Sequence, residues 1–236
     1  MQPAPIPYCG SAPLPIDLWG RWNPDPVLLA GLLIAFALGR ALRARPGPYL
    51  AGCFIAFLLF VSPLCALSSA LFSVRVVDHL VLTTIAAPLF ALALPGGGRG
   101  LAGWTGAHTV IFWAWHSPVG YTLALSSDAV YWLMQFTLLG SALCFWRAVR
   151  AAAPTAGVAA LLATMVQMGL LGALLTFTTQ PLYSWHAVTT QAWGLSPLED
   201  QQLAGLIMWV VGGGFYLSVA LRLANRWLTG RQAATA

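Results

Sequence analysis

Long apolar runs, separated by short segments rich in proline, glycine and arginine, set the rhythm of this chain. Seven such runs predict helices near residues 26–43, 49–71, 74–95, 101–124, 129–149, 156–178 and 200–225. Crossing a bilayer core takes roughly 20 mostly apolar residues, and only a helix or a closed barrel satisfies its own backbone in lipid. Pro46-Gly47-Pro48, Pro95 with Gly96 to Gly98, and Pro154 mark three of the turns. The longest connection, residues 179–199, separates the sixth run from the seventh. The expected organisation is a proline-rich extracytoplasmic tail (1–25), a seven-helix transmembrane domain (26–228) and a short cytoplasmic tail (229–236).

Composition removes the soluble alternative. Charged residues make up 7% of the 236, hydrophobic residues 59%, and the mean hydropathy is +0.77. A soluble domain charges roughly a quarter of its residues to cover its surface. The fold class predicted is therefore all-α, a polytopic bundle of about seven transmembrane helices. The first 26 residues carry neither a basic n-region nor an apolar h-region, so no cleaved signal peptide is expected.

Charge then orients the bundle. Every cation is arginine. With odd-numbered helices ending inside, Arg40, Arg43, Arg45, Arg99, Arg147, Arg150, Arg222, Arg226 and Arg231 share the side that the positive-inside rule makes cytoplasmic. Arg21, Arg75 and all six acidic residues fall on the other side. The amino terminus is expected outside and the carboxyl terminus inside. The arginines are scattered singly between apolar runs, which argues against nucleic-acid binding. Gly31, Ala35 and Gly39 on the first run, and Gly205 with Gly212 to Gly214 on the seventh, mark expected close helix contacts.

Ionisable groups at membrane depth are costly and carry a functional hypothesis by default. His79 and His116 reach the same outer depth from neighbouring helices; His108 lies deeper and His186 in the long outer loop. A hydrogen-bonded structural histidine is the plain alternative for each. Cys65, Met134, Met165 and Met168 sit on nearby runs, and imidazole with sulfur ligands favours copper, above all Cu(I), over calcium or magnesium. Methionines at helical spacing serve equally as core filler. Arg75 and Asp78, at i and i+3, are spaced to pair at the helix surface. Asp200, Gln201 and Gln202 open the last run, with Ser196 or Asp200 as cap. A Cys9–Cys65 bridge is conceivable because both belong to the oxidising side, while spacing alone does not argue for it. No GxSxG, Walker or dinucleotide motif occurs in its required context, and no enzymatic activity is expected.

Several segments together resemble the CtaG-type cytochrome c oxidase assembly factor family. They are Trp22-Asn23-Pro24-Asp25-Pro26, Ser62-Pro63-Leu64, Leu71-Phe72-Ser73, Asp78-His79-Leu80, Ala87-Pro88-Leu89, Trp115-His116-Ser117-Pro118, Pro181-Leu182-Tyr183 and DQQLAGLIMWVVGGG at 200–214. Phe145-Trp146, closing the fifth run, also fits. The resemblance implies a multi-span protein of the bacterial inner membrane that helps mature a haem-copper oxidase. Its partners would be the oxidase's catalytic subunits or a copper donor protein, besides the bilayer. It implies copper as the metal handled, with His79 and His116 facing it, Asp78 in support, and Asp200, Gln201 and Gln202 docking a partner or ordering the outer surface. Two positions depart from the family's pattern: Arg75 and Gln135 stand where histidines usually do. Those departures keep open a scaffold that accompanies the oxidase without touching metal. A small transporter is the remaining alternative, against which no inverted repeat is found.

Overall fold

The computed structural model describes residues 6–235, with side chains to Gly230; Met1 to Pro5, Ala236 and the side chain of Arg231 lie outside that description. In chain order the helices are α1 (Pro26–Ala41), α2 (Pro46–Val61), α3 (Pro63–Ala70), α4 (Phe72–Val81), α5 (Ala87–Ala93), α6 (Leu101–His116), α7 (Pro118–Ser126), α8 (Asp128–Ala151), α9 (Pro154–Phe177), α10 (Pro197–Leu206) and α11 (Gly213–Thr235). Pro26, Pro46, Pro154 and Pro197 each stand in a first turn, where the missing N–H is no loss and the fixed φ suits the helix. π-helical turns at Leu82–Ala86 and Ile207–Gly212 join α4 to α5 and α10 to α11. Seven helical rods result, at the positions of the seven apolar runs, and no strand occurs among the described residues.

Four rods are long and apolar enough to cross a membrane: Phe72–Ala93, Asp128–Ala151, Pro154–Phe177 and Pro197–Gly230. The pair α2 and α3, bent by 52°, makes a fifth when taken as one broken span. α1 is apolar but has 16 residues. The protein is thus an all-α, multi-pass membrane protein. The last helix runs on to Thr235, through most of the expected carboxyl-terminal tail.

Two predicted spans, 49–71 and 101–124, are not continuous helices. Each breaks at a Ser-Pro pair, because proline has no N–H and pushes the residue before it into extended backbone. Ser62 and Ser117 take that conformation, and each hydroxyl then caps the new helix, accepting from Leu64 N (3.3 Å) and Gly120 N (3.1 Å). The third rod treats Pro88 differently. In its π turn the Ala87 N–H reaches Leu82 O, so the next bond in that register would run from position 88 to Thr83 O. Proline cannot make it, and Trp146 Nε1 donates to the freed Thr83 carbonyl instead (2.8 Å).

The bundle has two chemically distinct ends. At one, Arg45 N donates to Ala93 O (2.9 Å), Arg147 Nη2 to Pro95 O (3.0 Å) and Arg150 to Ala91 O. At the other, Asn23 N and Nδ2 bond the last carbonyls of α2, Val61 O (2.9 Å) and Phe60 O (3.2 Å). Between the ends, α9 and α10 cross closely: a Cβ on Gly205 would lie 2.6 Å from Gly172 O and 2.4 Å from Thr176 Oγ1. Gly39 faces the Tyr49 ring and Gly212 faces Met168 in the same way, whereas Gly31 and Gly214 have nothing within 4 Å. The expected glycine contacts are therefore split between packed and open positions.

Candidate functional site

α4 carries the polar side chains of the interior. Its first turn is held from a distance of 128 residues in sequence by the fully buried Asp200 of α10. The Asp200 carboxylate accepts from Phe72 N (2.7 Å), Ser73 N (3.2 Å) and the Ser73 hydroxyl. Asp200 therefore caps α4 rather than its own helix. α10 is capped by Ser196 in a reciprocal box with Glu199, Glu199 N to Ser196 Oγ at 3.2 Å and Ser196 N to Glu199 Oε2 at 2.8 Å. Gln201, also buried, accepts from Leu182 N (2.6 Å) and donates to Leu175 O (3.4 Å), tying the long loop to the end of α9. Gln202 is half-buried and stands outside these contacts.

One turn further along α4 lie Arg75, Asp78 and His79. The expected Arg75–Asp78 ion pair is not formed: the one ion pair among the described residues joins Arg21 to Asp17 (3.9 Å). Arg75 turns inward instead, 2% exposed. Its Nε donates to Ser68 O (3.2 Å), and its guanidinium lies 5.9 Å from the Tyr121 ring centroid and 5.7 Å from that of Tyr131. Two aromatic faces in a dry interior compete well against one carboxylate. Asp78 Oδ1 is buried without a hydrogen-bond partner among the described residues.

His79 and His116 meet across α4 and α6, their ring centroids 5.4 Å apart and their planes nearly perpendicular. Each is 3% exposed. His116 closes α6 just before the Ser117-Pro118 break, and its Nδ1 is 2.8 Å from Phe112 O. A carbonyl only accepts, so Nδ1 carries the proton and Nε2 of the neutral ring presents its lone pair. That Nε2 has no hydrogen-bond partner, and neither nitrogen of His79 has one. The other two histidines are engaged. His108 Nδ1 pairs with Ser141 Oγ (2.9 Å); His186 Nδ1 donates to Ala70 O (3.2 Å) while Nε2 accepts from the Tyr121 hydroxyl (2.6 Å). Burial, with the Arg75 charge second, holds the His186 imidazole down at about 3.

Four aromatic residues to which the sequence analysis gave no site role close this end. Phe72 stacks on Tyr183 at 4.0 Å, Tyr121 meets both rings edge-on, and the Tyr183 hydroxyl donates to His116 O (2.6 Å). Tyr131 supports Arg75 from the other side. The available signals were slight: Tyr183 stands in the Pro-Leu-Tyr segment, Tyr121 follows the Ser-Pro break by one turn, and Tyr131 precedes Gln135 by one turn. Gln135 itself is buried. The long loop thus lies over the histidine pair, pinned through Tyr183, His186 and Leu182.

As a metal centre the arrangement offers two imidazoles, not a cage. Among the described residues no group of three His, Cys, Asp or Glu side chains could hold an ion, so Asp78 does not complete a triad with the histidines. Cys65, a candidate soft ligand, is joined to Cys9 in a disulfide. Met134 and Met168 are buried in the core cluster, Met168 against Gly212 and beside Leu80.

No curated protein and no solved structure matches the chain. A family model does: that of the cytochrome c oxidase caa3 assembly factor (Caa3_CtaG), over residues 32–105 and 104–230. Those segments include all seven rods apart from the start of α1 and the end of α11, and they contain His79, His116, Asp200 and Gln201. The chain belongs to the cytochrome c oxidase caa3 assembly factor family.

Proposed function

We propose that this protein carries copper to a haem-copper oxidase during assembly, in the bacterial inner membrane, holding one Cu(I) between His79 and His116 near the outer leaflet. The observation that carries the reading is the buried imidazole pair with three of its four ring nitrogens unpartnered. A buried polar atom without a partner normally costs free energy, so such atoms concentrate where a ligand arrives. Imidazole suits copper, and metal–imidazole bonds are about 2 Å long, which two rings at this separation accommodate. The Arg75 cation nearby opposes additional positive charge, which favours a monovalent ion and a transient stay. Copper here is cargo rather than a resident cofactor, and no catalytic step is assigned. In this proposal each of the seven apolar runs is a span, and the arginine partition puts the amino terminus outside.

A second reading, a scaffold that touches no metal, is favoured by two observations: Arg75 stands where the resemblance leads one to expect histidine, and no three-ligand group forms among the described residues. Cu(I) stoichiometry on the purified, detergent-solubilised protein separates the two. One copper per chain, lost in His79→Ala/His116→Ala, supports the carrier. Absence of copper from both, with the double variant still restoring oxidase activity to a deletion strain, sinks it in favour of the scaffold.

A further inference from the structure

The first described residues form a strap along α8 and α3, tied to Tyr131, Trp132 and Cys65. Tyr8 stacks on Tyr131 at 4.9 Å and meets Trp132 edge-on at 5.2 Å; its hydroxyl donates to Asp25, the cap of α1. Cys9 is bonded to Cys65 in the first turn of α3, closing a span of 56 residues. The Tyr131 hydroxyl lies 3.6 Å from Cys9 Sγ, and the same tyrosine ring lies under the Arg75 guanidinium. The strap, the disulfide and the buried polar cluster are therefore in one line of contact.

The two sulfurs differ in access and in chemistry. Cys9, 8% exposed, lines a pocket of about 210 Å³ together with Tyr8, Gly10, Arg21, Trp22, Asn23 and Ala66. Cys65 is not part of that lining and is 1% exposed. It occupies the third position of α3, behind the Ser62 cap and Pro63, where the dipole of a helix start favours negative charge on sulfur. Asn23 Nδ2 also points at Cys65 Sγ from 3.9 Å.

We propose that the Cys9–Cys65 disulfide is an exchangeable latch, opened by a dithiol-bearing protein whose thiolate enters this pocket and attacks Cys9 Sγ. The Cys9–Cys65 bond breaks as the new bond to Cys9 forms, and Cys65 leaves as a thiolate that the helix start and Asn23 stabilise before it takes a proton from solvent. The partner's second thiolate then attacks its own bound sulfur, releasing Cys9. Two electrons pass from the partner dithiol to the cystine sulfurs, so the partner ends as a disulfide and this chain as two thiols. Thiol–disulfide exchange is favoured at the more accessible sulfur and by the better leaving thiolate, and here Cys9 is the more exposed of the two cysteines while Cys65 sits at a helix start. Opening releases the strap from Tyr131, the ring that lies under the Arg75 guanidinium. This latch goes beyond the copper reading and does not depend on it.

The test uses the full chain in detergent, with reduced glutathione as a monothiol probe that stalls exchange at the mixed disulfide. After acid quenching and alkylation, peptide mapping should find glutathione on Cys9, with Cys65 alkylated, at least tenfold over the reverse. Tryptic cleavage after Arg21 should quicken at least tenfold on reduction. A disulfide that stays intact until the protein is unfolded in dodecyl sulfate overturns the proposal. So does glutathione shared equally between the two cysteines, or a cleavage rate that reduction leaves unchanged.

Discussion

Replacing Asp200 should damage this protein more than replacing any residue in the exposed cap beside it. The carboxylate is fully buried and accepts three hydrogen bonds, from Phe72 N, Ser73 N and the Ser73 hydroxyl. Hydrogen bonds to a charged group are worth about 1.5–3 kcal/mol each in net stability, and stranding a buried donor costs about 1–3 kcal/mol. Asp200→Ala strands two backbone N–H groups and a hydroxyl, so a loss of roughly 3–6 kcal/mol is expected, allowing for non-additivity. Asp200→Asn keeps one acceptor but turns an NH2 toward the remaining donors, and should cost about half as much. Ser196→Ala, which removes the box capping α10, should cost only about 1 kcal/mol. Denaturant unfolding in mixed micelles gives the three values directly. The order Ala, then Asn, then the Ser196 variant is the expected result. If Asp200→Ala fell within about 0.5 kcal/mol of the parent, the idea that a carboxylate on α10 positions α4, and with it His79, would be wrong.

Two further outcomes follow from the packing. His186 is held neutral by burial and by Arg75, against the opposing bond to Ala70 O, with its value near 3 in the folded loop against 6.5 in an unfolded chain. The unfolded state therefore binds the extra proton between those values, so docking of the loop is fully stable above about pH 6.5 and weakens as pH falls toward 3, by an amount on the order of 3–5 kcal/mol; hydrogen exchange across residues 179–196 at pH 7, 5 and 4 should show it, and unchanged protection at pH 4 would refute it. Gly205→Ala forces a methyl to 2.6 Å from Gly172 O and should cost about 1–3 kcal/mol by thermal unfolding, whereas Gly214→Ala, with nothing within 4 Å, should leave stability unchanged or slightly raised.

The rods were legible because apolar runs long enough to span lipid leave a signal that survives averaging over twenty residues. Their internal breaks were not, for the same reason: Ser62-Pro63 and Ser117-Pro118 interrupt the backbone without interrupting the hydropathy. Local rules served where the partner is local, as in the Ser196–Glu199 box. They failed at Arg75 and Asp78, where the i, i+3 spacing permits a pair but two tyrosine rings from other helices take the arginine. Asp200 and Gln201 were visible as polar residues opening the last run. That they hold α4 and the long loop, rather than their own helix, depends on contacts 128 and 19 residues away in sequence. The Cys9–Cys65 bridge was likewise undecidable from spacing, since a separation of 56 fits many pairings.

The distribution of unpartnered polar atoms carries its own argument. Five of those buried in the interior, Arg75 Nη2, Asp78 Oδ1, both nitrogens of His79 and Nε2 of His116, lie within one stretch of α4 and the facing end of α6. Around them the structure spends many bonds on satisfaction: Asp200 answers three donors, His186 uses both nitrogens and Gln201 uses both its amide atoms. Single unpartnered buried atoms also occur at Ser69, Gln167, Thr190 and Tyr216, whereas here they gather on two facing imidazoles, and the copper-carrier proposal rests on that difference. The consequence has a sign. Where buried polar groups are replaced by apolar groups of similar size, stability is kept or gained, while truncation opens a cavity. His79→Leu/His116→Leu should therefore unfold at the same denaturant concentration as the parent or a higher one, while binding no copper and failing to support oxidase assembly. A double variant destabilised by more than about 2 kcal/mol would mean that the imidazoles are structural members of the core, and the carrier reading would lose its main support.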